Sequence, residues 1–225
     1  MGGQIVKRPV IFCDFDGTIT ESDNIVAIAE HFDPPGWRDI VGRIVRGETS
    51  IREGVGQLFA LFPSSQKEDI TRFVMERATI RPGFAELLQF CRERGVEFLV
   101  TSGGIDFFVY PLLSPFGIPR ERIFCNGSDF SGERVRILWP HRCDAECDND
   151  CGMCKTTIIR RYPAEQYTRI LIGDSVTDFA AARLADLIFA RSHLQKKCEE
   201  LGLPYVPYDT FYDVIERLEK ELASP

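Results

Sequence analysis

The stretch VIFCDFDGTIT, residues 10–20, leads an apolar run directly into two acidic residues. Its first four residues are typical of a buried strand, and the Gly-Thr pair predicts a sharp turn after it. Because side chains alternate along a strand, Asp14 and Asp16 are expected on one side and Phe15 on the other. Two carboxylates at the end of a buried strand indicate a binding or reaction site.

The rest of the chain alternates between strand and helix patterns. Apolar or alternating runs predict strands at 96–100, 123–125, 169–173 and 187–190, and half of a hairpin at 133–138. Helical patterns occur up to residue 94, at 105–116, from 155, up to 184 and from 209. Strands that alternate with helices predict an α/β fold with a Rossmann-like parallel sheet core.

The segment 21–80 interrupts this alternation because it contains helical patterns and no convincing strand. These patterns lie around residues 25–32, at 36–45, at 51–59 and from 66. We therefore expect a helical cap at 21–80, inserted into an α/β core formed by residues 1–20 and 81–225.

Two sets of cap residues are candidates for contact with a substrate. Asp23 and Asn24 could reach a substrate hydroxyl or could simply cap the helix that follows. Four apolar residues could form an edge that faces the substrate or the cap's own small core: Leu58, Phe59, Leu61 and Phe62.

Composition and charge argue against several classes of protein. The chain has 225 residues, 44% of them hydrophobic, and a net charge of -7, which argues against a nucleic-acid partner. No apolar stretch approaches the roughly 20 residues needed to span a bilayer, and the N-terminus has no apolar signal core. We expect a cytosolic protein with no membrane partner, whose eight cysteines are thiols or metal ligands. The sequence does not indicate an oligomeric state.

A second acidic motif, GDSVTD at 173–178, follows another predicted strand. Asp174 would end that strand, and Asp178 would lie on the first turn of the next helix, facing back towards it. The carboxyl ends of parallel strands form a common crevice, where repelling carboxylates need a cation. We expect Mg²⁺ held by Asp14, the backbone carbonyl of Asp16 and Asp174, with Asp178 as a ligand or orienting its waters. Taken alone, Asp178 fits a helix N-cap equally well.

Two further motifs could bind an anion beside this metal. Ser102 offers a hydroxyl, and Gly103 lets the backbone approach an anion at the start of a helix. Lys155 precedes another predicted helix and would supply a cation. Alternatively, residues 102–104 could simply link a strand to a helix, and Lys155 could be a solvated surface residue.

Together these motifs predict a phosphoryl-transfer site for a small phosphate ester. Asp14 would be the nucleophile that forms an aspartyl-phosphate, and Asp16 the general acid and base. The phosphoryl oxygens would be held by Ser102, the Gly103 amide and Lys155.

DFDGT, SGG, Lys155 and GDSVTD, in this order, resemble the haloacid dehalogenase superfamily. The cap inserted between the first two motifs resembles its phosphoserine-phosphatase-like branch. The resemblance implies the fold, the Mg²⁺ and the residue roles given above. A longer match, which includes WPHRCDAECDNDCGMCK at 139–155, resembles phosphatases of bacterial methionine salvage. It implies hydrolysis of an enol phosphate with a methylthio tail to an acireductone. The alternatives are a phosphoserine phosphatase or another small-ester phosphatase or phosphotransferase.

Cys143, Cys147, Cys151 and Cys154 follow the spacing C-x3-C-x3-C-x2-C. They could form a tetrahedral thiolate Zn²⁺ site, a reduced packing cluster or a partly oxidised pair. Because the loop ends at Lys155, tethering it would fix that amine. Cys13, by contrast, is expected to be a buried packing residue.

Two other classes compete with an enzyme. A receiver-like signalling domain also has a phosphoacceptor aspartate, but the second aspartate of DFD and the cap argue against it. A zinc-loop interaction protein with a vestigial site would bind zinc and show no Mg²⁺-dependent turnover.

Overall fold

A computed structural model describes residues 7–222 of the chain. Residues 1–6 and 223–225, which belong to the predicted core, lie outside the described residues. The described strands form a seven-stranded sheet in the order β4-β3-β2-β1-β5-β6-β7. Their bounds are β1 Arg8–Cys13, β2 Glu97–Ile105, β3 Ile123–Asp129, β4 Arg136–Leu138, β5 Tyr167–Gly173, β6 Leu187–Ala190 and β7 Val206–Pro207. All neighbours are parallel except β3 and β4, which form an antiparallel hairpin. The predicted α/β sheet and hairpin are confirmed, and β7 is too short to give a sequence pattern.

Strand β1 lies in the middle of the sheet because its side chains are apolar on both faces. Ile11 and Cys13 pack into the core on one face, and Val10 and Phe12 pack into the core on the other. All four are fully buried, which confirms the prediction for Cys13. Both faces of the sheet are covered, as is usual for parallel sheets.

Ten α-helices occur within residues 7–222. They are α1 Asn24–Phe32, α2 Trp37–Val45, α3 Ile51–Phe59, α4 Lys67–Arg77, α5 Phe84–Arg94, α6 Asp106–Leu113, α7 Lys155–Arg160, α8 Phe179–Ala182, α9 Ser192–Leu201 and α10 Phe211–Leu222. Helix α6 ends earlier than predicted, in a 3-10 turn at Ser114–Phe116, because Pro115 cannot donate the next helical hydrogen bond. The helix predicted up to 184 is only the short α8, preceded by a 3-10 turn at Val176–Asp178. Helix α9 is not among the predicted helices.

Helices α1 to α4 form one helical segment, residues 24–77, between the first and second strands. Its two connections to the rest of the fold run side by side, because Thr20 and Ile80 form an antiparallel bridge. The Glu21 amide donates to the Thr79 carbonyl over 2.9 Å, which extends this pairing. The segment therefore leaves and rejoins the rest of the fold at a single place, and α5 follows before the chain enters β2.

Three of the four apolar candidates for substrate contact face inwards, and the fourth, Leu61, is partly buried. Leu58, Phe59 and Phe62 are at most 2% exposed. Leu58 packs with Ala29 of α1 and Trp37 of α2. Phe59 and Phe62 belong to the same hydrophobic core as Ile11 and Cys13 of β1. This burial favours a structural core over an edge that faces a substrate.

Candidate active site

Three carboxylates meet where β1 and β5 end. Asp14 follows β1, Asp174 follows β5, and Asp178 closes the 3-10 turn after β5. Each contributes one oxygen to a group whose members all lie within 4.8 Å of one another. Asp14 and Asp178 are buried, and Asp174 is partly buried. The predicted meeting of the two acidic motifs at one edge of the sheet is therefore seen in the structure.

The turn after β1 brings the backbone against Asp174. Asp14 accepts a hydrogen bond from the Phe15 amide over 2.7 Å, and Gly17 adopts a left-handed φ of 76°. A Cβ at Gly17 would lie 2.4 Å from Asp174 Oδ2. Only glycine allows both the positive φ and this close approach.

Asp16 points away from the carboxylate group and towards the start of α1. Its Oδ1 accepts hydrogen bonds from the Asn24 amide over 3.1 Å and from Asn24 Nδ2 over 2.7 Å. Burial raises the pKa of Asp16 to about 7, repulsion from Asp23 adds to this, and the Asn24 hydrogen bonds oppose it. A carboxyl group with a pKa near neutrality can both donate and accept a proton.

Lys155, the first residue of α7, lies between two carboxylates. Its Nζ is 2.8 Å from Asp14 Oδ2 and 2.5 Å from Asp178 Oδ1, and all three side chains are at most 4% exposed. Burial opposes the charged form of Lys155, but Asp14 and Asp178 outweigh it, so the lysine pKa is raised. Burial, together with repulsion from Asp178, raises the pKa of Asp14 in spite of Lys155. One cation thus compensates only part of the negative charge at this site.

Asp178 links the lysine to the end of β5. Besides Lys155, it accepts hydrogen bonds from the amides of Asp174 and Ser175, each over 3.1 Å. Ser175 is the N-cap of the turn, and Asp178 is its third residue in a reciprocal capping box. Asp178 also occupies the N-cap position of α8, but its side chain makes no capping hydrogen bond to that helix. A Cβ at Gly173 would lie 2.5 Å from Asp178 Cγ, so glycine makes room for this carboxylate as well.

Residues 102–104 form a bulge inside β2 rather than a turn after it. The pairing with β3 steps from Thr101–Phe124 to Ile105–Asn126, so β2 contains two extra residues. The strand predicted to end at 100 therefore continues to Ile105.

Ser102 is fully buried in this bulge, and its Oγ accepts a hydrogen bond from the Gly104 amide over 2.8 Å. The Gly103 carbonyl accepts one from Asn126 Nδ2, also over 2.8 Å. A Cβ at Gly104 would lie 2.6 Å from Asp16 Oδ2, so the bulge also borders the acid of the first motif.

Asp23 serves the helix that follows it. Its side chain is the N-cap of α1, accepts a hydrogen bond from the Val26 amide over 2.9 Å, and is exposed. Asn24, the next residue, is instead buried against Asp16. Of this pair, it is Asn24 that the fold brings into contact with a predicted catalytic residue.

Sequence reasoning misses two residues that hold the first turn. Thr18 donates to Asp174 Oδ1 over 3.0 Å. Arg81 is 5% exposed, and its guanidinium donates to the carbonyls of Gly17 over 2.9 Å and Thr18 over 2.7 Å. Arg81 is a single arginine after the helical segment and belongs to no recognisable sequence motif. Its role becomes apparent only because the two connections of that segment run side by side.

The four cysteines of the loop at 143–154 also come together. Their Sγ atoms all lie within 4.8 Å of one another, and those of Cys147 and Cys151 are 3.8 Å apart. The Cys151 amide donates to Cys143 Sγ over 3.4 Å. Cys154 is fully buried and directly precedes Lys155. The cluster therefore adjoins the lysine of the carboxylate site.

The chain belongs to the haloacid dehalogenase-like hydrolase family, which it matches over residues 11–183. Two relatives carry the name 2-hydroxy-3-keto-5-methylthiopentenyl-1-phosphate phosphatase. The one from Brevibacillus brevis is 57% identical over 214 residues, which are 95% of this chain and 96% of that protein. The one from Geobacillus kaustophilus is 51% identical over 216 residues, which are 96% of this chain and 98% of that protein.

Solved structures of phosphoserine phosphatases share the fold. The enzyme from T. onnurineus superimposes with a TM-score of 0.70 at 16% identity, covering 97% of this chain and 98% of that one. A phospho-aspartyl intermediate analogue of phosphoserine phosphatase gives a TM-score of 0.69 at 19% identity, covering 96% and 99%. At these identities the likeness supports the fold alone. Within residues 7–222, no helix is both long and apolar enough to cross a membrane.

Proposed function

We propose that this chain is a phosphoric monoester hydrolase that converts 2-hydroxy-3-keto-5-methylthiopentenyl-1-phosphate to the acireductone of methionine salvage. The names of relatives at 51–57% identity support the substrate. The chemistry is supported by one observation, the buried contact of Asp14 with Lys155 at the end of β1.

The reaction would proceed in two steps through Asp14. A carboxylate oxygen of Asp14 attacks phosphorus, the bond from phosphorus to the ester oxygen breaks, and Asp16 donates a proton to that oxygen. Asp16 then takes a proton from water, whose oxygen attacks phosphorus; the bond from phosphorus to the Asp14 oxygen breaks, which releases inorganic phosphate and restores the Asp14 carboxylate. The pKa of about 7 at Asp16 suits both proton transfers.

The phosphoryl oxygens would be held by Ser102, the Gly103 amide and Lys155. Lys155 is fixed for this purpose by Asp178 and is already within 2.8 Å of the nucleophile. Negative charge that develops on these oxygens would be stabilised by the Lys155 cation and by the dipoles of the Ser102 hydroxyl and the Gly103 amide, which are already in place.

The carboxylate group fits Mg²⁺, which prefers oxygen ligands. Three carboxylates share one lysine, and burial with repulsion from Asp178 raises the pKa of Asp174 to about 6, so a further cation is favoured there. We assign the ligands to Asp14, the backbone carbonyl of Asp16, and Asp174. The hydrogen bonds of Asp178 to Lys155 and to two amides suit a role in orienting this site. Bound Mg²⁺ would shield Asp14 from the negative charge of the phosphate.

Residues 21–80 would act as a cap on a core formed by 1–20 and 81–225. A pocket of about 30 Å³ lies between Ile51 of α3, Gly103, Met153 and Lys155. This volume suits one or two waters and is too small for a phosphate ester, so a substrate that occupied it would displace Ile51 and with it the helical segment. Ile51 and Met153 would face the leaving group, and these side chains suit a methylthio tail better than the zwitterion of phosphoserine.

The cysteine cluster would hold a structural Zn²⁺. Tetrahedral coordination at a Zn–S distance of about 2.3 Å places sulfur atoms about 3.8 Å apart, as Cys147 and Cys151 already are. All four sulfurs lie close enough to complete such a site with small rotations.

The proposal is tested by phosphate release from a panel that contains the enol phosphate, phosphoserine and simple sugar phosphates. We expect Mg²⁺-dependent turnover that is fastest on the enol phosphate and falls about 1000-fold or more in Asp14→Asn. Asp69→Asn, which alters an exposed carboxylate on α4, is the control and should retain full activity. A preference for phosphoserine would overturn the substrate assignment, and an active Asp14→Asn enzyme would overturn the mechanism.

A further inference from the structure

The loop that carries the cysteines reaches across to the helical segment. Asp150 Oδ2 accepts a hydrogen bond from Ser50 Oγ over 2.6 Å, and Asp150 Oδ1 accepts one from Arg52 Nε over 2.5 Å. The Asp150 carbonyl accepts a third from the Arg52 amide over 3.2 Å. Since Ser50 is the N-cap of α3, these contacts fix the first turn of that helix.

A tryptophan fills the space between the same two elements. A Cβ at Gly152 of the cysteine loop would lie 2.7 Å from Trp139 Cζ3, and a Cβ at Gly56 of α3 would lie 3.6 Å from Trp139 Cζ2. The indole therefore packs against a glycine on each side. Opening the helical segment would remove α3 from one side of this ring.

The backbone of the cysteine loop is shaped for this contact. Asp150 has a left-handed φ of 51°, which few residues other than glycine adopt readily. It stands directly before Cys151, so a metal bound to the four sulfurs would hold the loop in this conformation. Without such a cross-link, a segment with no regular secondary structure gains conformational entropy by leaving it.

The other end of the cysteine loop leads into the active site. The Cys154 amide donates to the His141 carbonyl over 2.8 Å, and the next residue is Lys155. The small pocket beside Lys155 is closed by Ile51 from α3 and by Cys151 and Met153 from the loop. One bound metal would thus fix both the phosphate-binding amine and the wall against which the helical segment closes.

We propose that the cysteine loop is a metal-held clasp, in which Asp150 binds Ser50 and Arg52 and keeps the helical segment closed over the active site. This inference rests on the proposed function for the meaning of the pocket, but the clasp itself can be observed without a substrate. Arg52 and Asp150 are each about 40% exposed, and such pairs contribute little to global stability. The clasp can therefore open and close in every catalytic cycle.

The test uses the fluorescence of Trp139 in the full-length chain. The sequence contains two tryptophans, so all variants carry Trp37→Phe, which leaves Trp139 as the only indole. Acrylamide quenching then reports how often the ring is uncovered. We expect Asp150→Ala and Arg52→Ala each to raise the quenching constant at least threefold. Asp148→Ala, which alters an exposed carboxylate in the same loop, should leave it unchanged.

The kinetic readout separates clasping from a general loss of structure. Asp150→Ala should raise KM about five- to tenfold while kcat changes less than twofold. In Asp150→Asn most of this rise in KM should disappear, because the amide oxygen of asparagine can still accept a hydrogen bond from Ser50 or Arg52. A parallel fall in kcat with no change in quenching would overturn the proposal. Hydrogen exchange at residues 50–56 gives the same answer if Trp37→Phe itself perturbs the helical segment.

The metal link is tested by removing and returning Zn²⁺ alone. Chelation should raise Trp139 quenching in the protein with Asp150 intact and add nothing in Asp150→Ala, because both changes open the same contact. An equal response in both proteins, or purified protein that neither contains nor takes up zinc, would overturn the metal-held clasp. If no phosphate ester is hydrolysed but these responses occur, the proposed function fails and the clasp stands.

Discussion

Polar side chains have different roles at the carboxyl ends of β1 and β5, here called the sheet edge, and in the helical segment. At the sheet edge, Asp14, Lys155 and Asp178 are buried and contact one another across three separate elements. In the helical segment, most polar groups serve their own helix or the surface, as Asp23 does at the start of α1. Exceptions include Asn24, which contacts Asp16, and Ser50 and Arg52, which reach the cysteine loop.

The groups at the strand ends would therefore carry out the reaction, and the helical segment would control access of the substrate to them. Groups that react or neutralise charge are attached to strands whose hydrogen bonds hold them in place, so their geometry is fixed before a substrate arrives. The helical segment contacts them through Asn24, and it reaches the cysteine loop through the partly exposed bonds of Ser50 and Arg52 to Asp150. Changes at the sheet edge should therefore abolish turnover, whereas changes in the helical segment should alter stability or substrate affinity.

Lys155→Met should have the largest effect, because it removes the cation that lies between Asp14 and Asp178. Removing the cation leaves Asp14 and Asp178 buried and facing each other, which should lower the free energy of unfolding by about 3 kcal/mol. Loss of a donor to the phosphoryl group should lower kcat about 1000-fold. Urea unfolding and phosphate release measure the two effects.

Lys197→Met is the matched control for a lysine paired at the surface. Lys197 lies 2.9 Å from Glu200, and both side chains are substantially exposed. Its replacement should change stability by less than about 1 kcal/mol and leave kcat unaltered. If the two methionine variants behave alike, the contrast between the buried and exposed regions is wrong.

The sheet edge could be predicted largely from sequence because its motifs follow apolar strands. DFDGT and GDSVTD mark two strand ends, and parallel strands necessarily bring such ends together. Lys155 could be placed because it opens a helix in the expected order. The bulge at 102–104 could not, because two extra residues in one strand leave no trace in an apolar pattern.

Arg81 and Asn24 show why the remaining contacts escape prediction. Arg81 binds the turn after β1 only because residues 20 and 80 pair in space. Asn24 and Asp23 are neighbours of similar size, yet one is buried against Asp16 and the other caps a helix. Which of the two faces the site depends on the angle at which α1 leaves the turn, and no local sequence signal specifies that angle.

Gly17→Ala should have the next largest effect, because it changes the sheet edge without removing a charged group. Its Cβ would lie 2.4 Å from Asp174 Oδ2, so the carboxylate must move. We expect kcat to fall about 100-fold and the Mg²⁺ concentration for half-maximal activity to rise. Titrating Mg²⁺ in the phosphate-release assay checks both.

Gly117→Ala separates this displacement from the strain of a left-handed alanine. Gly117 has a φ of 64°, and no atom lies within 4 Å of the position that its Cβ would take. Both alanine variants should lose about 1 kcal/mol of stability from the positive φ. Only Gly17→Ala should lose activity, and a similar loss in Gly117→Ala would attribute the effect to global destabilisation.

Asp23→Ala should have the smallest effect, because it removes only one exposed side chain at the start of α1. If Asp23 acts only as the N-cap of α1, its loss should lower stability by about 1 kcal/mol and the melting temperature by about 2–4 °C. KM for the enol phosphate should then stay within twofold. Asp23→Ser, which can still cap the helix, should restore the melting temperature. A tenfold rise in KM at an unchanged melting temperature would instead place Asp23 on the substrate, because a helix cap has no reason to affect affinity without affecting stability.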